Sequence, residues 1–439
     1  MAAKISTDAK PPVQQIGFWA AVSIGVGGMV GAGIFSILGV VASVSGNAIW
    51  ISFLVGGIVA LLSTYSYSRL GVTFPSTGGA VEFLVRGLGD GLVSGGLNIF
   101  MWVGYIVTIA LYANAFGSYG ATFFDHSTWI VKTLAVVAVL AFTLVNFVGA
   151  QFMGRAETAI VAVKLSILLL FAIAGMFFIE PSRLDPGVWP DATHIFAAAG
   201  ILFVGYEGFG LITNAAGDMA NPARTLPRAL YTSVVLVIAL YMLVSIAVIG
   251  NLPLPEILEA EDYALAEAAR PFLGMIGFKL VAVAALLSTS SAINATLFGG
   301  ANVSYTIAKY GQLPETFSRR LWHGSLEGLL LTSAIVIVFV LAFDLGRIAM
   351  MGSAAFLVVY AAVNAAHLRI TEQTGAKRWI VVLSLVSCLA MLTILSVHMF
   401  QQARASIVVM IAVLVGSFVI EAAYRRTSRR ANRSAIKGR

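Results

Sequence analysis

Two charged side chains lie deep inside long apolar runs of this 439-residue chain. Lys164 lies within the run Ala159–Phe178, and Glu207 lies within a later one. An ionisable group in hydrocarbon costs roughly several kcal/mol, so such residues usually face a cavity or a partner and mark an ion or substrate pathway. Because burial disfavours the charged form of either group, an amine and a carboxylate in these positions predict a site that gains and loses protons.

The elements that position these two side chains are predicted to be membrane-spanning helices. The chain is 59% hydrophobic. Only 11% of its residues are charged, less than half of the roughly 25% that is usual in a soluble domain. Apolar stretches of about 20 residues predict twelve spans in an all-α polytopic membrane protein. The predicted spans begin near Ile16, Gly46, Gly91, Trp129, Ala156, His194, Pro227, Pro271, Glu327, Arg347, Arg378 and Ala405.

The distribution of basic residues predicts the orientation. With the N-terminal segment 1–15 inside, most of the 27 Lys and Arg residues fall in cytoplasmic loops and in the basic tail 425–439. By the positive-inside rule both termini are cytoplasmic, as an even span count requires, and the expected location is the cell (inner) membrane. The tail could also contact anionic lipid headgroups. No aromatic and basic domain accompanies these charges, so nucleic acid is not a predicted partner.

Motifs for catalysis and for ATP-driven pumping are absent from the sequence. No Walker A sequence, H-E-x-x-H, G-x-S-x-G or C-x-x-C occurs, and these are the motifs that would hold ATP phosphates, a catalytic zinc ion or a nucleophile. With the single cysteine Cys388 the chain cannot form an internal disulfide, and a thiolate metal site is not predicted. The sequence therefore predicts a protein that is not an enzyme, with no catalytic residues, no metal and no cofactor.

Glycine clusters interrupt the first and the sixth predicted spans. The first cluster comprises Gly25, Gly27, Gly28, Gly31 and Gly33, and the second comprises Gly200, Gly205, Gly208 and Gly210. Broken helices at corresponding positions of two halves are typical of inverted-repeat transporters, whose substrate site lies between the breaks. The predicted repeats cover 16–180 and 193–370, with two further helices over 378–424. Close helix packing, for which Gly27 and Gly31 have the small-xxx-small spacing, is the alternative explanation.

A broken helix offers N–H groups at one end and carbonyl groups at the other, a pair that fits a zwitterion. The N–H groups of Gly31, Ala32 and Gly33 are the predicted receptor for a carboxylate. The amino group and side chain of the same ligand are predicted to meet the backbone and side chains of Val30, Phe203, Val204, Gly205 and Tyr206. The predicted substrate is therefore an amino acid.

Several segments together resemble the amino acid-polyamine-organocation (APC) superfamily of permeases. They are Gly27–Phe35, Phe74–Gly79, the block around Gly205-Tyr-Glu207 with Asn221–Arg228, and Asn294–Tyr305. The segment Gly154-Arg-Ala-Glu-Thr-x-Ile-Val-Ala-Val-Lys164 resembles the ApcT-like proton-coupled amino acid transporters. That resemblance implies a LeuT-type fold with a 5+5 inverted repeat, in which Lys164 occupies the place of a sodium ion. Ala32 departs from the Gly-Ser-Gly sequence of many relatives, so a carboxylate there would rely on backbone N–H groups. The broken part of the sixth span lacks the tryptophan of some relatives that exchange cationic substrates, and its apolar residues suggest a neutral or broadly hydrophobic amino acid.

A lysine ammonium can imitate a sodium ion because it is a compact unit charge with three donors. Carbonyl groups of the first span and the hydroxyl groups of Ser288 or Ser291 are predicted to accept these hydrogen bonds. The alternative is a lysine that reaches back to the membrane surface. Glu207 either takes part in proton coupling or accepts hydrogen bonds from backbone groups near the break.

The sequence thus predicts a secondary transporter that imports amino acids together with protons by alternating access. Its expected partners are an amino acid, protons and the lipid bilayer, and the expected state is a monomer or a weak oligomer. Three alternatives stay open: an exchanger, a polyamine or cation permease of the same superfamily, and a channel or amino acid sensor without a transport cycle.

Overall fold

The computed structural model describes residues 16–31, 33–76, 78–124, 127–148, 153–318, 320–321 and 324–437. Almost all of them are helical, and the strands among them form one antiparallel hairpin of two-residue strands, β1 (Arg320–Leu321) and β2 (Gly324–Ser325). The predicted all-α class is confirmed. The α-helices are α1 (Phe18–Met29), α2 (Gly33–Ser45), α3 (Ile49–Thr73), α4 (Ala80–Leu88), α5 (Leu92–Ala121), α6 (Thr128–Val148), α7 (Met153–Met176), α8 (Ala192–Leu202), α9 (Leu211–Asn214), α10 (Pro222–Asn251), α11 (Leu254–Ala260), α12 (Ala264–Glu267), α13 (Arg270–Lys309), α14 (Leu326–Ala342), α15 (Leu345–Arg369), α16 (Thr371–Thr374), α17 (Arg378–Gln402) and α18 (Arg404–Lys437).

Short 3₁₀ helices connect or interrupt these elements. They cover Gly46–Ala48, Pro181–Leu184, Pro186–Val188, Phe203–Gly210, Ala216–Asp218, Glu261–Tyr263 and Glu315–Ser318.

Each predicted span begins within about five residues of a helix in the structure. Among the described residues, 10 helical runs are long and apolar enough to cross a membrane, and Glu327–Ala342 is a shorter apolar helix. The run Phe18–Thr73 is 56 residues long, about twice the length that one crossing needs. The chain is therefore a polytopic membrane protein, whereas the count of twelve spans and the two-repeat arrangement stay predictions.

Loops that were predicted to share the cytoplasmic side contact one another. The Ile16 N–H group donates to the Asp218 carbonyl at 3.0 Å, which joins the start of α1 to the loop before α10. Arg425 on α18 pairs with Asp90 at 2.7 Å, and Gln312 after α13 donates to the same carboxylate at 3.3 Å. These contacts agree with the predicted alternation of the loops.

Loops predicted for the opposite side also meet. The Ser118 hydroxyl at the end of α5 donates to Asp262 at 3.0 Å, and the Glu180 N–H group donates to the Gly250 carbonyl at 2.9 Å. Which of the two ends faces the cytoplasm stays a prediction, because it rests on the distribution of basic residues alone.

Helix α5 lies at the centre of the bundle, where it packs against α6, α13, α15 and α18. In its most apolar stretch 89% of the residues are buried, against 28% in α17 and 22% in α18. A helix that is apolar on all sides is either buried in protein or surrounded by lipid. The last two long helices therefore face lipid over most of their surface.

Helix α4 was not predicted from the sequence. It is too short to cross a membrane, and its residues Glu82 and Arg86 have the spacing of a helical i, i+4 ion pair, which they form at 2.6 Å. The Tyr310 hydroxyl, from the turn after α13, donates to the same Glu82 carboxylate. Through Glu82, this nine-residue helix links the connection between α3 and α5 to the end of α13.

Replacing Arg425 with Ala is expected to destabilise the folded protein by about 1–3 kcal/mol, the penalty of leaving a buried polar group unsatisfied. Arg425 pairs with Glu421, which is 0% exposed, and with Asp90. The measurement is the thermal unfolding midpoint in detergent. The double variant Arg425→Ala/Glu421→Gln should recover most of the loss, because it removes the buried charge; a double variant as unstable as Arg425→Ala would contradict this explanation.

Candidate substrate and coupling site

The first predicted span consists of two helices that meet at a turn. Helix α1 ends at Met29, the Val30 N–H group donates to the Val26 carbonyl at 2.8 Å, and Val30 and Gly31 form the turn before α2 begins at Gly33. Ala32, a predicted carboxylate ligand, lies outside the described residues. The start of α2 therefore directs its first N–H groups toward the turn, as any helix N-terminus does.

The sixth predicted span changes its helical form instead of unwinding. Helix α8 ends at Leu202, and Phe203–Gly210 is a 3₁₀ helix of 8 residues, called here the 3₁₀ segment, which continues into α9. The glycines with positive φ in the described chain all lie elsewhere. The predicted interruption of the sixth span thus takes the form of a tighter helix, in which backbone hydrogen bonds run to the third residue instead of the fourth.

Glycines bring the two interrupted spans into backbone contact at two points. A Cβ atom at Gly33 would lie 2.8 Å from the Cα atom of Gly205, and one at Gly208 would lie 2.8 Å from the Cα atom of Gly28. Real side chains cannot approach so closely, so both contacts require glycine. Close packing and helix interruption, which the sequence presented as alternatives, therefore occur together.

Lys164 lies beside the end of α1. Its side chain is 0% exposed, and its Nζ atom donates to the Gly27 carbonyl at 3.0 Å. A lysine that reached the membrane surface would keep its ammonium in water, so the structure does not support that alternative. The lysine connects α7 to the last turn of α1, next to the predicted substrate site.

The Ser288 hydroxyl on α13 donates to the Val30 carbonyl at 2.8 Å and also to the Gly31 carbonyl. In this structure the hydroxyl therefore satisfies backbone groups that the turn leaves without helical partners. Ser291, 2% exposed, lies on the same helix about one turn further on. The predicted role of either hydroxyl as an acceptor for Lys164 stays a prediction.

Tyr241 on α10 joins the two interrupted spans. Its hydroxyl group is within hydrogen-bonding distance of the Met29 carbonyl in the first span and of the Gly205 carbonyl, at 3.1 Å, in the 3₁₀ segment. Its side chain is fully buried. Sequence reasoning missed this residue, because a single tyrosine in an apolar helix gives no signal that separates it from core packing.

Glu207 is 4% exposed and lines a narrow cavity of about 20 Å³, room for about one water molecule. Tyr67, Tyr105 and Tyr360 surround the same cavity, which reaches the loop before α4. The Tyr360 hydroxyl donates to the backbone carbonyl of Glu207 at 2.8 Å. Glu207 thus borders a small cavity of mixed polar and apolar lining, which Gly78 and Ala80 also line.

The other predicted ligands in the sixth span are buried and already have partners. The Val204 N–H group donates to the Ser353 hydroxyl at 2.9 Å, and the Tyr206 hydroxyl donates to the Phe53 carbonyl on α3 at 2.8 Å. The Tyr206 hydroxyl is therefore directed to α3. The structure thus places Lys164 against the end of α1 and Gly33 against Gly205 of the 3₁₀ segment, whereas the ring of Tyr206 extends toward α3.

Comparison with known proteins gives a consistent result. The sequence model of the family described as "Amino acid permease" matches residues 16–434. The protein MJ0609 of Methanocaldococcus jannaschii is 41% identical over 95% of this chain and 97% of its own. Inner membrane transport protein YbaT of Escherichia coli is 32% identical over 96% of this chain and 99% of its own.

A third relative, the serine/threonine exchanger SteT of Bacillus subtilis, is 28% identical over 71% of each chain. The first two relatives are matched over nearly their full lengths, and the family match covers the interrupted spans, α7 and the helices that pack around them. The chain belongs to the amino acid permeases of the APC superfamily, a family of transporters and not of enzymes.

Proposed function

We propose that this permease imports amino acids together with protons by alternating access, and that Lys164 is the group that couples the two. The hydrogen bond from the buried Lys164 amine to the Gly27 carbonyl, at 3.0 Å, carries the proposal. This bond ties the proton-binding group directly to α1, the helix whose interruption borders the proposed substrate site.

The charge of the amine determines how strongly it holds α1. Carbonyl groups at a helix C-terminus carry partial negative charge, so a protonated Lys164 attracts the end of α1 and its neutral form does so much less. Loss of the proton therefore weakens the contact between α7 and α1. Because burial disfavours the charged amine, a proton can leave the site when the protein opens to the side of lower proton concentration.

The proposed position of the substrate lies between the Val30–Gly31 turn and the 3₁₀ segment. Its carboxylate would accept from N–H groups of Gly31, Ala32 and Gly33 at the start of α2. Its ammonium would donate to carbonyl groups near Phe203 and Val204. The surrounding side chains are mainly apolar, which favours a neutral amino acid over a cationic one.

Glu207 is a proposed second proton-binding group, since it is buried and lines a cavity that Gly78 and Ala80, beside the predicted cytoplasmic end, also line. We further propose a LeuT-type arrangement of the repeats 16–180 and 193–370, with both termini in the cytoplasm. The interruptions of the first and sixth spans and the contacts among the predicted cytoplasmic loops support this arrangement.

Exchange of one amino acid for another is a second candidate function, because the relative from Bacillus subtilis is named as a serine/threonine exchanger. An exchanger needs a substrate on each side, whereas a symporter moves net substrate down a proton gradient. The two candidates therefore differ in one measurable quantity, net uptake into vesicles without internal amino acid.

Purified protein in liposomes is expected to take up a neutral amino acid when the outside is made acidic, without any internal substrate. For one proton per substrate, each pH unit supplies about 1.4 kcal/mol and supports about tenfold accumulation. A thermal-shift screen of the twenty amino acids at acidic and alkaline pH selects the substrate to label. Uptake that requires internal amino acid would favour the exchanger, flux without saturation a channel, and binding without flux a sensor.

A further inference from the structure

The first span contains no titratable side chain of its own. Helices α1 and α2 consist of apolar residues, glycines and serines only, so a proton acts on this span through side chains of other helices that contact it. Lys164 is one such contact, through the Gly27 carbonyl at 3.0 Å. If proton and substrate binding are coupled, contacts between the first span and the 3₁₀ segment have to carry the effect to the other wall of the proposed substrate site.

The hydroxyl group of Tyr241 lies where the two interrupted spans meet. It donates to the carbonyl of Met29, the last residue of α1, and to the Gly205 carbonyl of the 3₁₀ segment at 3.1 Å. A Cβ atom at Gly33 would lie 2.5 Å from its oxygen, so the start of α2 packs against the same group. Because a hydroxyl has one hydrogen, the two carbonyl groups share it.

Lys164 and Tyr241 bind the same turn of α1. The carbonyl groups that they contact belong to Gly27 and Met29, which are two residues and about 3 Å apart along the helix axis. A change in the strength with which Lys164 holds this turn therefore changes the position of the carbonyl that Tyr241 binds. When the Met29 carbonyl moves away, the shared hydrogen shifts toward Gly205, and when it approaches, the hydrogen bond to Gly205 weakens.

The ring of Tyr241 is held in place independently of its hydroxyl group. The side chain is fully buried, and its ring centroid lies 5.2 Å from that of Phe53 and 5.3 Å from that of Tyr206. Replacing Tyr241 with Phe should therefore keep the ring where it is and remove only the oxygen that joins the two spans.

The glycine contacts between the spans act differently from this hydrogen bond. At Gly33 with Gly205, and at Gly28 with Gly208, backbone atoms meet without side chains. Such contacts limit how closely the spans approach, but each pair of atoms attracts only weakly. A shared hydrogen bond also resists separation of the spans, so it can pass on movement in both directions.

We propose that the Tyr241 hydroxyl transmits the protonation state of Lys164 from the end of α1 to the 3₁₀ segment. The inference rests on the proposed function, in which Lys164 couples protons to amino acid import. Tyr241 is a positioning residue in this role and is not proposed to touch the substrate or to exchange a proton. Without its hydroxyl group, the substrate should still bind, but its affinity should no longer depend on the proton at Lys164.

The test measures the dissociation constants of alanine and leucine, two neutral amino acids, for purified protein at acidic and at alkaline pH. The alkaline constant divided by the acidic one, called here the pH ratio, measures the coupling between proton and substrate. A loss of folded protein does not change this equilibrium quantity. The variants are Tyr241→Phe, Lys164→Ala and the double variant with both changes.

Tyr119→Phe is the matched control. Tyr119 is also 0% exposed, and its hydroxyl donates at 2.8 Å to the carbonyl of Phe35, which belongs to α2 instead of the end of α1. This control should keep the pH ratio within about twofold of that of the unmodified protein.

The unmodified protein is expected to have a pH ratio of about five or more, the lower end of typical coupling factors. Tyr241→Phe should bring this ratio to within about twofold of that of Lys164→Ala. The double variant should show no further change, because both changes break the same link. Comparison with Lys164→Ala also separates any contribution of Glu207, the carboxyl group of the 3₁₀ segment.

A second substitution tests the donor itself. Replacing Tyr241 with para-aminophenylalanine puts an N–H donor in the place of the hydroxyl group and should restore the pH ratio of the unmodified protein to within about twofold. If Tyr241→Phe does not fold, this variant decides.

Three results would overturn the role of Tyr241 alone. They are a pH ratio in Tyr241→Phe equal to that of the unmodified protein, a folded Tyr241→Phe protein that binds substrate at neither pH, and a para-aminophenylalanine variant with the pH ratio of Lys164→Ala. An unchanged pH ratio in Lys164→Ala, or unmodified protein that binds neither alanine nor leucine, would overturn the proposed function and the inference with it.

Discussion

Lys164→Ala protein in liposomes is expected to lose all accumulation driven by a pH gradient. The unmodified protein should accumulate its substrate about tenfold per pH unit for one proton per substrate, and the variant should only equilibrate it, giving a ratio of about one. The physical reason is that alanine cannot carry a proton or attract the end of α1. The measurement is labelled amino acid uptake against an imposed gradient, with the pH equal on both sides as a reference.

Two further lysine variants separate coupling from stability. Lys164→Arg keeps a positive charge that cannot be released, so it should bind substrate but fail to complete a proton-coupled cycle. Lys132→Ala is the matched control: Lys132 donates to Asn114 at 3.1 Å and to the Val340 and Phe343 carbonyls at the end of α14. That variant should lose stability while it keeps coupling. Accumulation by Lys164→Ala equal to that of the unmodified protein would refute the lysine mechanism.

The positions of the helices could be predicted from the sequence because lipid imposes a strong and local constraint. Every spanning segment must be apolar over about 20 residues, and each predicted start lies near a helix in the structure. Lys164 could be found for the same reason, since a charge within an apolar run stands out. Helix α4 could not, because a short amphipathic helix between two spans leaves a pattern that a loop could share.

The contacts that satisfy the interrupted spans could not be predicted from the sequence. Tyr241 contacts a carbonyl 212 positions away along the chain, and Ser353 contacts one 152 positions away. A lone hydroxyl in an apolar helix usually bonds to its own backbone, as Ser304 does, so its residue type does not reveal its partner. Only the three-dimensional packing of α10 and α15 distinguishes these residues from ordinary core side chains.

The helical form of the sixth span could not be predicted from the sequence either. Glycine permits an extended break, a close backbone contact and a 3₁₀ helix alike, so the glycine cluster indicated an interruption without its geometry. The structure assigns Gly205 and Gly208 to backbone contacts with the first span. The hydroxyl groups of Ser353 and Tyr360 bind backbone groups at the start of this 3₁₀ segment and within it.

Gly33→Ala is expected to abolish substrate binding while the protein remains inserted in the membrane. The added Cβ atom would lie 2.8 Å from the Cα atom of Gly205 and 3.0 Å from its carbonyl oxygen, so the 3₁₀ segment must move away by several tenths of an ångström. Overpacking of this kind typically costs about 1–3 kcal/mol. Because the proposed carboxylate site lies at the start of α2, the displacement should remove the substrate-induced increase in thermal stability at every substrate concentration tested.

Gly299→Ala is the control for this variant, since a Cβ atom there would meet nothing within 4 Å and alanine favours a helix over glycine by about 1 kcal/mol. It should bind substrate normally. Gly33→Ala/Tyr241→Phe tests the cause further, because it removes the hydroxyl beside the added carbon and leaves the contact with Gly205. If Tyr241→Phe alone binds substrate and the double variant does not, the contact of the added carbon with Gly205 is responsible. Uptake by Gly33→Ala equal to that of the unmodified protein would show that the substrate binds elsewhere.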